Sequence, residues 1–266
     1  MKLVAHVPAR ELLKDLNTVE KLVSLGLGVE LQLTSEVLDS FTFKDFGLIK
    51  KLTNGLPITV HAPFMDLNPG ATEPYLLDIT RKRFLQAVSA AKVLEAEVVV
   101  FHTGYIPQKV EPIYENWFKR ALETFLIVGE EFKGKVALEN VFDRDFKVIL
   151  SFLERLPDNF GFCFDIGHFN IFSQIPLSDW FSSLSSKLYE FHLHDNLGSQ
   201  DSHLPCGKGS FNFGYLFSLI ESYFNEIPSG LILNLENKSV DDVKESLNFL
   251  RGTKWKEKLE FTRTKF

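Results

Sequence analysis

The residues best suited to chemistry are seven histidines: His6, His61, His102, His168, His192, His194 and His203. Each ends, or closely follows, a short β-branched or aromatic run, and Glu30, Glu139, Asp165 and Glu236 hold comparable places. Neutral imidazole and carboxylate are the ordinary ligands of zinc, manganese and similar divalent ions, so a ring of them would be a metal site. The competing reading is a set of separately satisfied core histidines. It is the better reading for His6 alone, but chance would rarely put all seven at such places in 266 residues.

Three local patterns sharpen the case. In Asp165-Ile166-Gly167-His168 two ligand types lie three residues apart, across a glycine that allows a sharp turn. The run from Glu190 to Gly209 packs His192, His194, His203, Asp195 and Asp201 into a strand and its loop. Within it, Asp201 and His203 fall on one side of an extended segment, as two ligands of one ion would. The Gly207-Lys208-Gly209 turn either offers backbone N–H groups and a cation to a phosphate, or is a plain loop.

The elements that must position these groups alternate along the chain. Strand-like runs are expected at Leu3 to Val7, Gly28 to Leu33, Ile58 to Ala62, Val98 to Thr103, Val136 to Asn140, Gly161 to Ile166, Leu188 to Asp195 and Leu231 to Asn237. Helix-period segments such as Glu73 to Glu95 and Asn116 to Phe132 lie between them. Pro57, Pro157 and Pro228 each sit just before a strand, where they end the preceding helix. Eight such rounds with no linker predict the α/β class and one (β/α)8 barrel, a single domain over residues 1–266. An open doubly wound sheet is weaker, because the first strand runs into Pro8-Ala9-Arg10 rather than a glycine fingerprint. A parallel strand is buried on both faces, so charged or imidazole groups at its carboxyl end need pairing or a metal.

Bulk composition narrows the partners. The formal charge of −6 gives no overall attraction to a polyanion or an anionic membrane. The one basic stretch, Arg251 to Phe266, is locally +4 and reads as a solvated helix face before it reads as a binding arm. Two cysteines, Cys163 and Cys206, are too few for a disulfide framework. With no signal-like start and no apolar run near the ~20 residues of a membrane span, a soluble cytoplasmic protein is expected.

At these residues the chain resembles the xylose-isomerase-like barrel superfamily, which includes sugar isomerases and epimerases and the endonuclease IV type of abasic-site nuclease. The likeness rests on HAPF at His61, VVFHTG around His102, ALEN at Glu139, FDIGH at Asp165 to His168, HLHDN at His192, DSHLPCGKG from Asp201 and NLEN at Glu236. It implies Glu139, Asp165, His192 and Glu236 as ligands of one catalytic ion. The endonuclease IV type adds His61 and His102 for a second ion, with Glu139 bridging, and His168, Asp201 and His203 for a third. Between His192 and His194, motif position favours His192 as the ligand, with His194 behind it. The expected cofactor is one to three divalent ions, zinc or manganese.

Two activities follow from the resemblance. A sugar or sugar-phosphate isomerase or epimerase would hold a carbonyl and its neighbouring hydroxyl on the metal, stabilise an enediolate and move protons through Glu139 and Glu236. Glu30 would bind substrate hydroxyls or form a structural ion pair, and Phe64 would line the sugar pocket. The alternative is a three-metal phosphodiesterase acting on DNA, with Phe64 and Met65 pushing into the duplex. Its mouth loops should then be basic, yet Gln32 to Phe43 is neutral to acidic, so the sugar reading is preferred. A barrel that binds a sugar-like ligand without catalysis ranks last, because every ligand position is filled.

Overall fold

The structure is a computed structural model that describes residues 1–107, 110–224 and 228–253. Eight parallel strands close into a barrel in sequence order: β1 (Lys2–Val7), β2 (Gly28–Gln32), β3 (Ile58–His61), β4 (Val98–His102), β5 (Lys135–Glu139), β6 (Phe160–Asp165), β7 (Leu188–Leu193) and β8 (Ile232–Leu235). β8 pairs back onto β1 through Lys2 opposite Ile232, which leaves the sheet no free edge. The chain thus forms the single-domain (β/α)8 barrel that the alternation predicted. The basic stretch from Arg251 falls mostly outside the described residues, so its role and the assignment of residues 254–266 to the barrel stay expectations.

Side chains alternate along each strand, and this alternation builds the interior in layers. Val4, Val98, Val100, Ala137, Cys163 and Ile232 form a separate buried apolar cluster. Moving along the strands from this apolar layer leads to the polar residues on the same face: Val4 to His6, Val100 to His102, Ala137 to Glu139, Cys163 to Asp165, and Ile232 through Asn234 to Glu236. The opposite faces carry residues such as Val99, Leu138 and Phe164, which join the main core beneath the helices. Burial of these faces drives closure of the barrel, and the polar layers sit above an apolar floor.

The crossover helices follow their expected patterns. One spans Pro74–Leu94 and another Ile113–Glu131, close to the two segments with helical period. The helix before β3 ends at Thr53, and Asn54 caps it in the left-handed region, so Pro57 stands just before the strand but is not what stops the helix.

Candidate metal centre

Register brings the site residues together at one rim. His102 lies opposite Glu139, and Asp165 opposite His192, in neighbouring strands. Asp165 also caps the helix Ile166–Phe172: its Oδ1 accepts the His168 backbone N–H at 2.6 Å, which turns Oδ2 towards His194 Nε2 at 3.2 Å. Asn140 ties the rim across β5 and β6, donating to the Asp165 carbonyl at 2.9 Å and accepting its N–H at 3.0 Å.

Around Glu139 stand three imidazoles: His61 Nε2 at 3.1 Å, His102 Nε2 at 3.3 Å and His168 Nδ1 at 3.1 Å. His192 Nδ1 lies 3.2 Å from Glu236 Oε2 and 3.7 Å from Asp165 Oδ2. His203 Nε2 meets Asp201 Oδ2 at 2.9 Å, and His168 Nε2 approaches the same oxygen at 3.5 Å. His194, fully buried, stacks on His203 with ring centres 4.1 Å apart. All nine expected ligands therefore gather at one end of the barrel; seven line the cavity there, while Asp165, His192 and the neighbouring His194 are wholly buried behind its wall.

The proton arrangement of these rings is informative. His61 Nδ1–H donates to the Ala62 carbonyl, His168 Nδ1–H to the Asn140 carbonyl and His203 Nδ1–H to the Glu236 carbonyl, each at 2.9–3.0 Å. In the neutral ring Nε2 is then an acceptor, and in all three it faces a carboxylate oxygen. Two sets of lone pairs so opposed need a proton or a metal cation between them. His192 Nδ1 and Nε2, His194 Nδ1 and Glu236 Oε2 are also buried without a hydrogen-bond partner among the described residues. Of these, His192 Nδ1, His194 Nδ1 and Glu236 Oε2 fit a divalent cation, and groups of three among these residues, including His61 with Glu139 and His192, have ligand atoms within 4.8 Å of one another.

Electrostatics agree with a cation-seeking ring. Burial opposes ionisation of Glu139, Asp165 and Glu236, but the imidazoles around them more than offset it, so all three carboxyls lie below their ordinary range. For His203, burial opposes protonation, yet Asp201 and Glu236 beside it push the imidazole up to about 9.

Some expectations land elsewhere. Lys208 points away from the mouth, 61% exposed and 3.4 Å from Glu245. The N–H groups of Gly207 and Gly209 are taken by Asp195 Oδ2 at 3.1 and 2.8 Å, so that turn offers no free cradle for a phosphate. Asp195 instead organises the loop that carries Asp201 and His203, a role its place in HLHDN did not disclose. Glu30 is wholly buried beneath the mouth, against His6, His192 and Asn234, out of reach of a substrate in the cavity. Phe64 does line the mouth and stacks on His102 at 4.2 Å. His203 adopts φ +50°, so the Asp201–His203 segment is not extended; the left-handed turn aims the ring at Asp201. Sequence reasoning passed over Glu190, wholly buried on the same strand face as His192, because nothing in a lone strand glutamate marks it as inward-facing.

The comparisons with known proteins come down on one fold family. Residues 28–261 match the model of the xylose isomerase-like TIM barrel family. The chain belongs to that family. Among its relatives, the uncharacterized protein MJ1311 of Methanocaldococcus jannaschii is 33% identical over 208 residues, covering 73% of this chain and 69% of that protein. A crystal structure of a D-tagatose 3-epimerase-like protein superimposes with TM-score 0.80 at 25% identity, over 94% of this chain and 96% of that one. The TTHB071 protein of Thermus thermophilus, soaked with zinc chloride, gives TM-score 0.77 at 26% identity over 94% and 97%. More distant structures, sugar 3-epimerases and an endonuclease IV among them, share the barrel, a likeness of fold alone.

Proposed function

We propose that this xylose isomerase-like barrel is a divalent-metal-dependent isomerase or epimerase of a sugar or sugar phosphate. The observation that carries the proposal is the cavity over the ring. It has about 750 Å³, the size of a small-molecule pocket, and aromatic groups such as Phe64, Tyr105, Phe142 and Phe172 line its wall. Among its described lining residues only Arg10 and Lys238 are cationic lysine or arginine side chains. A duplex needs many such phosphate contacts, whereas a polyhydroxyl molecule needs apolar walls and a few polar anchors.

Glu139, Asp165, His192 and Glu236 would hold the catalytic cation, with His61 and His102 beside Glu139 for a second ion, and the catalytic cation would supply a Lewis acid for a carbonyl and its neighbouring hydroxyl. Glu139 and Glu236 reach the cavity from β5 and from the residue after β8, separate positions on the rim. One carboxylate can take the proton beside the carbonyl and the other return one, as an epimerisation requires. Glu236 Oε2, without a hydrogen-bond partner among the described residues, is the less encumbered of the two. Phe64 and Tyr105 would cover the sugar's apolar face and limit access of water.

The test is solvent exchange. Ketoses and their phosphates are incubated in deuterium oxide with manganese or zinc, and deuterium entering beside the carbonyl is read by NMR. Exchange lost in Glu139→Gln is the expected result; no exchange with any sugar, alongside cleavage of abasic-site DNA, would overturn the proposal.

One observation favours the second reading, a phosphodiesterase: His168, Asp201 and His203 stand together as a further ligand group beside the first. His203→Ala separates the two, since it would cripple a hydrolase that needs a third ion but only weaken a sugar enzyme.

A further inference from the structure

Below the rim lies a second buried polar layer that substrate binding does not use. Glu30 on β2, Glu190 and His192 on β7 and Asn234 on β8 are all fully buried. Two donors converge on Glu30 Oε1: Asn234 Nδ2 at 2.6 Å, and the His6 ring, whose Nδ1 is 3.2 Å away. They fix the plane of the carboxylate and leave Oε2 3.3 Å from His192 Nε2, closer to that nitrogen than Glu190 is, though the pair is not aligned as a hydrogen bond. The Thr59 hydroxyl lies between the two acids, 3.5 Å from Glu30 Oε2 and 3.2 Å from Glu190 Oε1. Glu190 stands farther from the ring, 4.0 Å from His192 Nε2.

His192 is thus contacted from both sides. Its Nε2 faces Glu30 below, and its Nδ1 faces Glu236, Asp165 and Glu139 above, at 3.2, 3.7 and 3.8 Å. A neutral imidazole carries one N–H, and the partner of that N–H decides which nitrogen keeps its lone pair. We propose that Glu30 is the positioning residue of the metal centre: it takes the Nε2–H of His192 and so presents the Nδ1 lone pair to the cation at the rim. This assignment rests on the cation reading given above, and it replaces the expectation that Glu30 contacts substrate. A carboxylate that accepts from a ligating imidazole both orients the ring and raises its basicity, and its loss typically costs 10–100-fold in metal affinity. His6 becomes part of the same device, since it and Asn234 hold the Glu30 carboxylate in place.

The test needs no substrate. Zinc affinity is measured by competition with a chromophoric chelator for the wild type, Glu30→Gln and Glu190→Gln, with melting of the metal-free proteins as the check on folding. The tautomer of His192 is read from long-range ¹H–¹⁵N spectra of the zinc-loaded, histidine-labelled protein. The expected result is an Nε2–H tautomer and a 10–100-fold loss of affinity in Glu30→Gln, with Glu190→Gln close to the wild type. Unchanged affinity in a folded Glu30→Gln, an equal loss in Glu190→Gln, or a His192 protonated at Nδ1 would each overturn the proposal. Should Glu30→Gln fail to fold, the wild-type tautomer decides alone. A wild type that takes up no zinc overturns both this assignment and the cation reading, whereas zinc uptake without sugar exchange removes only the proposed activity.

Discussion

At the scale of single residues, the rim joins imidazoles whose Nδ1–H groups are spent on backbone carbonyls to carboxylates that wait opposite Nε2. On the proposed reading Glu139 serves as both shared ligand and proton carrier, so Glu139→Gln should lower kcat by about 10²–10⁴ in a turnover assay; undiminished activity would contradict that role. A second prediction concerns Asp143, which is buried and whose Oδ1 has no hydrogen-bond partner among the described residues. Burial pushes its carboxyl from the ordinary 3.8 to about 7. Between those values the folded chain keeps a proton that the unfolded chain has released, so stability falls as pH rises across the window. Asp143→Asn keeps an acceptor for the Val141 N–H and removes the charge. Its thermal advantage should therefore grow from about pH 4 to about pH 7 and level off above, by roughly 2–4 °C for each kcal/mol gained, and an advantage that shrinks would refute the sign. Residue types were legible in the sequence because seven histidines at strand ends leave few alternatives. Orientation was not legible: Lys208 sits beside glycines yet turns to Glu245, and Asp195 claims the N–H groups that a phosphate would have needed.

Elements were the most legible level, since a barrel strand buried on both faces writes a short apolar run with one costly polar residue at its end. All eight strands were expected, and the structure mainly shortens them. β7 stops at Leu193 rather than Asp195 and β8 at Leu235 rather than Asn237, so His194 and Glu236 stand just past the ladder, where the rim needs them. Gly167 fits a sharp turn in the sequence, but it lies inside the helix Ile166–Phe172 and is needed for another reason. A Cβ there would overlap the His194 imidazole. Sequence cannot show that requirement, because the ring comes from the next strand. Gly167→Ala should push His194 off Asp165 and weaken zinc binding by about tenfold or more in a chelator competition; unaltered affinity would mean that His194 has no part in holding the cation.

For the whole molecule, shape and charge are more telling than composition alone. The net charge of −6 excluded little, whereas the cavity over the ring, with Arg10 and Lys238 as its described lysine and arginine side chains, favours a small polyhydroxyl substrate. No helix among the described residues is long and apolar enough to cross a membrane. Since the ring opposes lone pairs across the joined ends of the strands and the loops beyond them, a bound cation should stabilise the entire barrel. At about a hundred times its dissociation constant one ion adds about 2.7 kcal/mol. Melting should then rise by about 5–10 °C, and a Tm indifferent to zinc and manganese would argue against that linkage. The most direct measurement is elemental analysis of chain purified without added metal, beside Glu139→Gln treated alike. At least one zinc or manganese ion per chain is expected, absent from the folded variant. A folded wild-type chain that carries none, and takes up none when zinc or manganese is supplied, would contradict the account.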